Sequence, residues 1–273
     1  NPSKAKSLNY STRKKITAEK KYASAGFIVS DLVPVGTITN LFEDKLGTTG
    51  PDEIVVDIGK RQGIEKGDQF TVYTLNRYIY HPVLEGDMFE KLGEYTRRKG
   101  YEHKMVPHPG KPVGHRVMIQ GVVEITELGD EISYARVVKA YESIEAGYLL
   151  THYKKYVDKT SAYSEIDKSV EGYIVASKGD KIGISEGDFI YIDKGWENEV
   201  RPGDRFEVYS LHVVDDKVWY KFGFGKKPLL PYVRGEIKII DTQKKTATAI
   251  VVKSRIDMVI GDQIRFKRSN HPG

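Results

Sequence analysis

Short stretches in which apolar and polar residues alternate, each ended by glycine, proline or aspartate, run through most of the chain. In Gln69 to Leu75, Phe70, Val72 and Thr74 fall on one face and Thr71, Tyr73 and Leu75 on the other, the period of a half-buried strand. The same reasoning predicts strands at Gly36 to Asn40, Glu53 to Ile58, Gly121 to Thr126, Ser133 to Ala140 and Gly147 to His152. It predicts a second set at Gly172 to Ala176, Phe189 to Asp193, Arg205 to Leu211, Arg234 to Ile240, Thr246 to Ser254 and Asp262 to Arg268. Six short strands per set, separated by turns, suggest a small closed or nearly closed barrel, which hides the sheet edges.

The two sets are copies. Gly36 to Leu75 aligns without a gap on Gly172 to Leu211, with fifteen identities in forty positions. Gly121 to Leu150 aligns on Gly235 to Ile264, with seven in thirty. The expected architecture is therefore mainly β: two tandem barrel-like modules of about six strands, plus a basic N-terminal segment. Residues 1–34 read as that segment or a linker, 35–152 as module one, 153–169 as a linker and 170–273 as module two. The modules differ most in one connection, residues 76–120 in the first against 212–234 in the second. The longer version is rich in cations and imidazoles, including Arg97, Arg98, Lys104 and Arg116. Inserted loops on a rigid scaffold are where specificity usually sits.

The shared residues read as folding chemistry. Gly67-Asp68 and Gly203-Asp204, each followed by x-Phe-x-Val-Tyr, suit a turn: glycine supplies a positive φ and aspartate bonds back to its own backbone. Gly183-Ile-Ser185-Glu-Gly187 matches the nucleophile-elbow expression, but a strand follows where a helix is needed. His81, His103, His108 and His115 are spaced too loosely for a zinc site. Phe222-Gly-Phe-Gly-Lys-Lys-Pro228 lacks the second glycine and the Lys-Ser/Thr of a phosphate-binding loop, and reads instead as an exposed aromatic-basic loop. These readings expect no catalytic residue, metal or cofactor. They place candidate partner contacts at Arg13, Lys14, Lys15, Arg97, Arg98, Lys104, Arg116, Phe222 and Phe224.

Composition narrows the classes. With no cysteine, disulfides, thiolate zinc and cysteine nucleophiles are excluded. No apolar run approaches the roughly 20 residues of a spanning helix. The net charge of +5 admits nucleic acid, anionic lipid or wall polymer as partners. Much of it sits in the tails: Lys4 to Lys21 holds seven basic residues and one acid. The first residue, Asn1, fits either removal of a signal peptide or excision from a longer chain.

The pattern Asp-x-Gly-x4-(Ile/Val)-x-x-Gly-Asp-x-Phe-x-Val-Tyr, then Gly-x-(Val/Ile)-x-Ile, Ala-x-Val-Val-Lys and, in module two, a final Gly-Asp, resembles a family of bacterial envelope proteins. In that family a LysM peptidoglycan-binding domain precedes modules like the C-terminal domain of the flagellar assembly protein T, and secretin-associated proteins of type IV pili are members. The resemblance covers most of residues 35 to 268. It implies a non-enzymatic accessory protein, periplasmic and outer-membrane-associated, that braces a type IV pilus secretin in many copies and helps anchor it to the cell wall. Peptidoglycan would be reached only through a domain absent from this chain. A flagellar basal-body ring component is the alternative of the same kind, and a nucleic-acid-binding barrel, with affinity falling steeply in salt, is the alternative of another; nucleic acid is not the expected partner. One departure from the family pattern stands in module two, where Glu199 replaces the glycine found at Gly63, and a differently shaped loop is expected there.

Overall fold

The computed structural model describes residues 21–42, 45–85, 110–154, 169–211 and 231–267. Among the described residues there are thirteen strands: β1 (Phe27–Val29), β2 (Gly36–Leu41), β3 (Glu53–Val56), β4 (Gln69–Glu85), β5 (Gly110–Glu127), β6 (Ser133–Ala140) and β7 (Leu149–His152), then β8 (Glu171–Ser177), β9 (Phe189–Ile192), β10 (Arg205–Leu211), β11 (Pro231–Thr242), β12 (Ala247–Ser254) and β13 (Gln263–Phe266). They divide between two compact units. Of the described residues, unit 1 holds 21–26, 31–42, 45–76 and 117–154, and unit 2 holds 27–30, 77–85, 110–116, 169–211 and 231–267.

In unit 2, β10-β11-β12-β9-β8-β13 form a closed barrel. In unit 1, β4-β7-β2-β3-β6 pair in sequence and β5 pairs with both β4 and β6, giving the same cyclic order of equivalent strands. The equivalence extends to single residues. Ile38 faces Val56 as Ile174 faces Ile192, and Ala135 faces Ile54 as Ala249 faces Ile190. The register shift between Ile38 and Asn40 recurs between Ile174 and Ala176, and that between Val122 and Val123 recurs between Glu236 and Ile237. A register slip of one residue would turn every apolar side chain outward, so inherited alternation fixes register in both copies.

The two cores are built from the same positions. Ile38, Ile54, Val56, Phe70, Val72, Ile125 and Leu150 are buried in unit 1, and Ile174, Ile190, Ile192, Phe206, Val208, Ile239 and Ile264 occupy the matching places in unit 2. Each such side chain contributes about 1.5–3 kcal/mol by leaving water. Ile58 is the one buried member of the first core without a partner in the second, because Lys194 stands at the equivalent position. Two repeated glycines mark where strands approach too closely for a side chain. A Cβ at Gly121 would lie 2.3 Å from the Lys139 carbonyl oxygen, and one at Gly235 2.1 Å from that of Lys253.

The loop at Glu199 corrects the sequence expectation, for it has the shape of its counterpart. Gly63 has φ 76° and ψ 22°, and Glu199 has φ 63° and ψ 12°. The Ile64 amide bonds the Gly59 carbonyl at 3.3 Å, and the Val200 amide bonds that of Gly195 at 3.2 Å. The surrounding barrel imposes the turn, and Glu199 accepts a left-handed conformation that costs a side-chain-bearing residue about 1–2 kcal/mol. Glycine's extra freedom in the unfolded chain offsets part of that gain. Glu199→Gly is therefore expected to stabilise unit 2 by about 0.5 kcal/mol and Gly63→Glu to destabilise unit 1 by about 1 kcal/mol. Nothing lies within 4 Å of a Cβ built on Gly63, so the cost of Gly63→Glu reads backbone strain. Denaturant midpoints of the two variants, shifted in opposite directions, check it.

Candidate functional site

The described parts of module one's long connection are strand, and residues 77–85 and 110–116 of it belong to unit 2. Strand β4 continues past the repeat to Glu85 and β5 begins at Gly110, so Arg77–Glu85 and Gly110–Arg116 form a two-stranded arm. β1, from the stretch without a repeat partner, pairs with β5. Its close fit is visible at Gly114, where a Cβ would sit 2.5 Å from the Val29 carbonyl oxygen. Together β1 and the arm cover the outer surface of β8 and β9. Ile28, Ile79 and Val113 pack on Val175, Ala176 and Tyr191 in a cluster outside the barrel. The Thr246 hydroxyl donates to the Ile28 carbonyl at 2.6 Å.

Two polar clamps fasten the arm. The first is Arg116, 2% exposed. Its Nη1 donates to Asp180 Oδ1 at 2.6 Å and to the Ser177 carbonyl at 3.0 Å, and its Nη2 donates to Asp180 Oδ2 at 2.9 Å. Arg77 Nη2 reaches the same Asp180 Oδ1 at 2.7 Å. Asp180 sits at φ 56°, directly after Gly179 at φ 79°, in a turn that a short polar side chain tolerates. The Arg116 hydrogen bonds hold the Asp180 carboxyl below the usual carboxylate range, outweighing partial burial, and the Arg77 charge adds to them.

The second clamp is His81, buried between the arm and the barrel wall. Its Nδ1 lies 3.1 Å and 2.8 Å from the Val83 and Leu84 amides, which can only donate to it. The ring proton is accordingly assigned to Nε2, which faces Asp193 Oδ2 at 3.3 Å. Asp193 also accepts the Tyr173 amide at 2.7 Å and the Lys194 ammonium at 3.2 Å. Burial alone would raise the Asp193 carboxyl, but the donors from His81, Tyr173 and Lys194 together bring it below its ordinary value. Beneath the arm, burial pushes the Tyr191 phenol well above the ordinary tyrosine range.

The outer side of the arm is aromatic. Tyr78 lies 5.1 Å from Tyr80 and packs edge-on against His115 at 4.8 Å, and Tyr80 is half exposed.

Among the sequence candidates, Arg13, Lys14, Lys15, Arg97, Arg98, Lys104, Phe222 and Phe224 lie outside the described residues. Arg116 is described, and its charge is turned inward. Gly67 and Gly203 take φ 94° and 100°. Asp68 Oδ2 accepts the Glu65 amide at 2.9 Å, and Asp204 Oδ2 accepts the Arg201 amide at 2.8 Å. The same clamp recurs at Asp188 on Ser185 and at Asp262 on Val259. The Ser185 hydroxyl shares its turn's Asp188 at 3.4 Å and precedes β9, so the elbow geometry is not formed. Among the described residues, no three His, Asp or Glu side chains are grouped to hold a metal ion. His81 faces Asp193 while His115 faces Tyr78, each on its own side of the arm.

Asp180, Asp193 and Tyr191 were not singled out by the sequence. A signal existed in β9: Phe-Ile-Tyr-Ile is apolar at every position, the mark of a strand buried on both faces, where β3 reads Glu-Ile-Val-Val. What the arrangement does is mechanical: it locks an element contributed by the first repeat onto the second repeat's barrel.

Among the described residues, nothing covers the corresponding outer surface of unit 1. Asn40, Val55 and Tyr134 form one cross-strand row, equivalent to Ala176, Tyr191 and Thr248 in unit 2. The unit 2 row is 0–1% exposed, whereas Tyr134 is 42% exposed. Phe42 packs on Tyr134 at 5.6 Å between ring centroids, and Val138 follows on the same face at 45% exposure. The chain matches no protein-family model, and no curated protein matches it in sequence.

Proposed function

We propose that this protein is a non-enzymatic scaffold of the bacterial envelope that associates with the outer-membrane secretin of the type IV pilus machinery. The observation that carries the scaffold reading is the register-for-register duplication of one barrel. The residues the copies share, Gly67-Asp68 and Gly203-Asp204 among them, are spent on cores and turn clamps. The buried ionic groups of the arm, Arg116 and His81, are spent on fastening elements to one another. The choice of partner rests on the family resemblance of the repeated motifs. On this reading the protein works on the periplasmic side of the outer membrane. Rigid, edge-protected barrels set spacing, and residues peculiar to one copy make the contacts.

The test is affinity isolation of the tagged full chain from a piliated bacterium encoding it. The secretin is expected to enrich strongly over a tag-only control. Enrichment of flagellar basal-body rings instead would move the assignment to that assembly, and enrichment of neither would overturn it.

A further inference from the structure

Among the described residues, the β2-β3-β6 outer face of unit 1 has no covering element, and Phe42, Tyr134 and Val138 on it are 42–45% exposed. It is homologous, strand for strand, to a face that this same chain covers in unit 2. There the covering comes from the connection that follows the third barrel strand of the preceding module. Module two has a connection at the same topological point, residues 212–230 between β10 and β11. Its sequence is strongly apolar and aromatic, with Val213, Val218, Trp219, Tyr220, Phe222 and Phe224.

We infer that the β2-β3-β6 outer face of unit 1, centred on Tyr134, Phe42 and Val138, binds the 212–230 connection of a second copy of this chain. The contact would repeat between molecules the step that β1 and the arm perform within unit 2. Composition and charge fit. Asn40 and Arg136 lie among the apolar residues of the face, the mixed character of an interface between separately folded partners rather than of a permanent core. Glu53 and Glu127 are exposed beside it, and the connection offers Lys217, Lys221, Lys226 and Lys227 against Asp215 and Asp216. Because donor connection and acceptor face lie on different modules, the contact is heterologous. It propagates head to tail into a ring or a filament. The inference deepens the scaffold reading but is tested apart from it, on purified protein with no channel present.

Sedimentation velocity of the full chain over a concentration series is expected to show association beyond a monomer. Tyr134→Asp on the face and Trp219→Asp on the connection are each expected to abolish it. Mixing those two variants is expected to restore a dimer and nothing larger, since the mixture holds one intact face and one intact connection. Tyr134 is exposed, so Tyr134→Asp should keep its fold, and an unchanged circular dichroism spectrum and melting curve check this. A photo-crosslinking residue at position 138 should capture peptides from 212–230 of another copy. A wild-type chain that stays monomeric throughout, or a Tyr134→Asp variant that associates undiminished, overturns the inference. So does a crosslink from position 138 to residues 1–20 of its own chain or to an unrelated protein alone.

Discussion

Asp180→Asn is expected to destabilise unit 2 by about 2–3 kcal/mol, more than removal of the arginine it holds. The asymmetry follows from where each partner sits. Arg116 is almost wholly buried, while the Asp180 side chain is 44% exposed. Asparagine keeps the shape and tolerates the left-handed backbone of this position, so the substitution removes charge and little else. It leaves a guanidinium in the protein interior with no counter-charge, beside the cation of Arg77. Breaking a buried ion pair from one side costs about 3–5 kcal/mol, here lessened by the water that reaches Asp180. Arg116→Met removes the buried charge itself and leaves Asp180 hydrated and still paired with Arg77. Its expected cost is about 1–2 kcal/mol, the value of lost charge-assisted hydrogen bonds only partly replaced. In Arg116→Met/Asp180→Asn no charge is stranded, so the double variant should fall short of the sum by about 2 kcal/mol. Two units need not unfold together, so the readout is local: hydrogen exchange of peptides spanning 77–84 and 110–116, beside denaturant curves. An Asp180→Asn cost below about 0.5 kcal/mol would mean that the pair contributes nothing to holding the arm.

The same pair shows where sequence reading stopped. Repetition made the barrels legible, because the residues that repeat are those whose side chains enter the cores or clamp the turns. Phe70 and Phe206, Val72 and Val208, and the Gly-Asp turns could be placed from period and spacing alone. The arm could not, because it has no second copy to be compared with. Tyr78 to His81 alternates as a strand does, but it lies in a stretch dominated by cations, prolines and histidines, which reads as a loop. β1 is three residues long, too short for alternation to be seen. Arg116 in a basic stretch looks like a solvated contact residue. Its burial is decided by Asp180, 64 positions away, and by the fold of a module it does not belong to in sequence. Glu199 shows the opposite failure. Its identity argued for a new loop shape, while the packing around it enforced the old one at a local cost.

The repeat also supplies its own control for an acid-sensitive contact. Asp57 and Asp193 are equivalent, and each accepts the amide at the start of a strand, Thr37 for one and Tyr173 for the other. Only Asp193 is buried beneath the arm and bonded to His81. In Asp193→Asn the side-chain oxygen can still receive the Tyr173 amide, but its NH2 group then faces the Nε2–H of His81, donor against donor. His81 cannot turn to relieve this without giving up the Val83 and Leu84 amides at Nδ1. A lost hydrogen bond to a charged group, with a buried donor left unmet, costs about 2–4 kcal/mol. Asp57→Asn, on an exposed carboxylate, should cost little.

The pH dependence separates charge from shape. The Asp193 carboxyl lies below its unfolded value of about 3.9, so its contribution is fully present above that value. It is lost as pH falls through the lower folded value, where the native state must take up the proton late. The stability difference between wild type and Asp193→Asn should therefore be flat from neutral pH down to about pH 5 and shrink below about pH 4. Asp57→Asn, measured over the same range, is the control for losing a carboxylate that accepts only a strand-start amide. A difference between wild type and Asp193→Asn that stays constant into acid would assign the effect to altered packing under the arm. In that case the His81 clamp would owe its strength to shape rather than to the carboxylate.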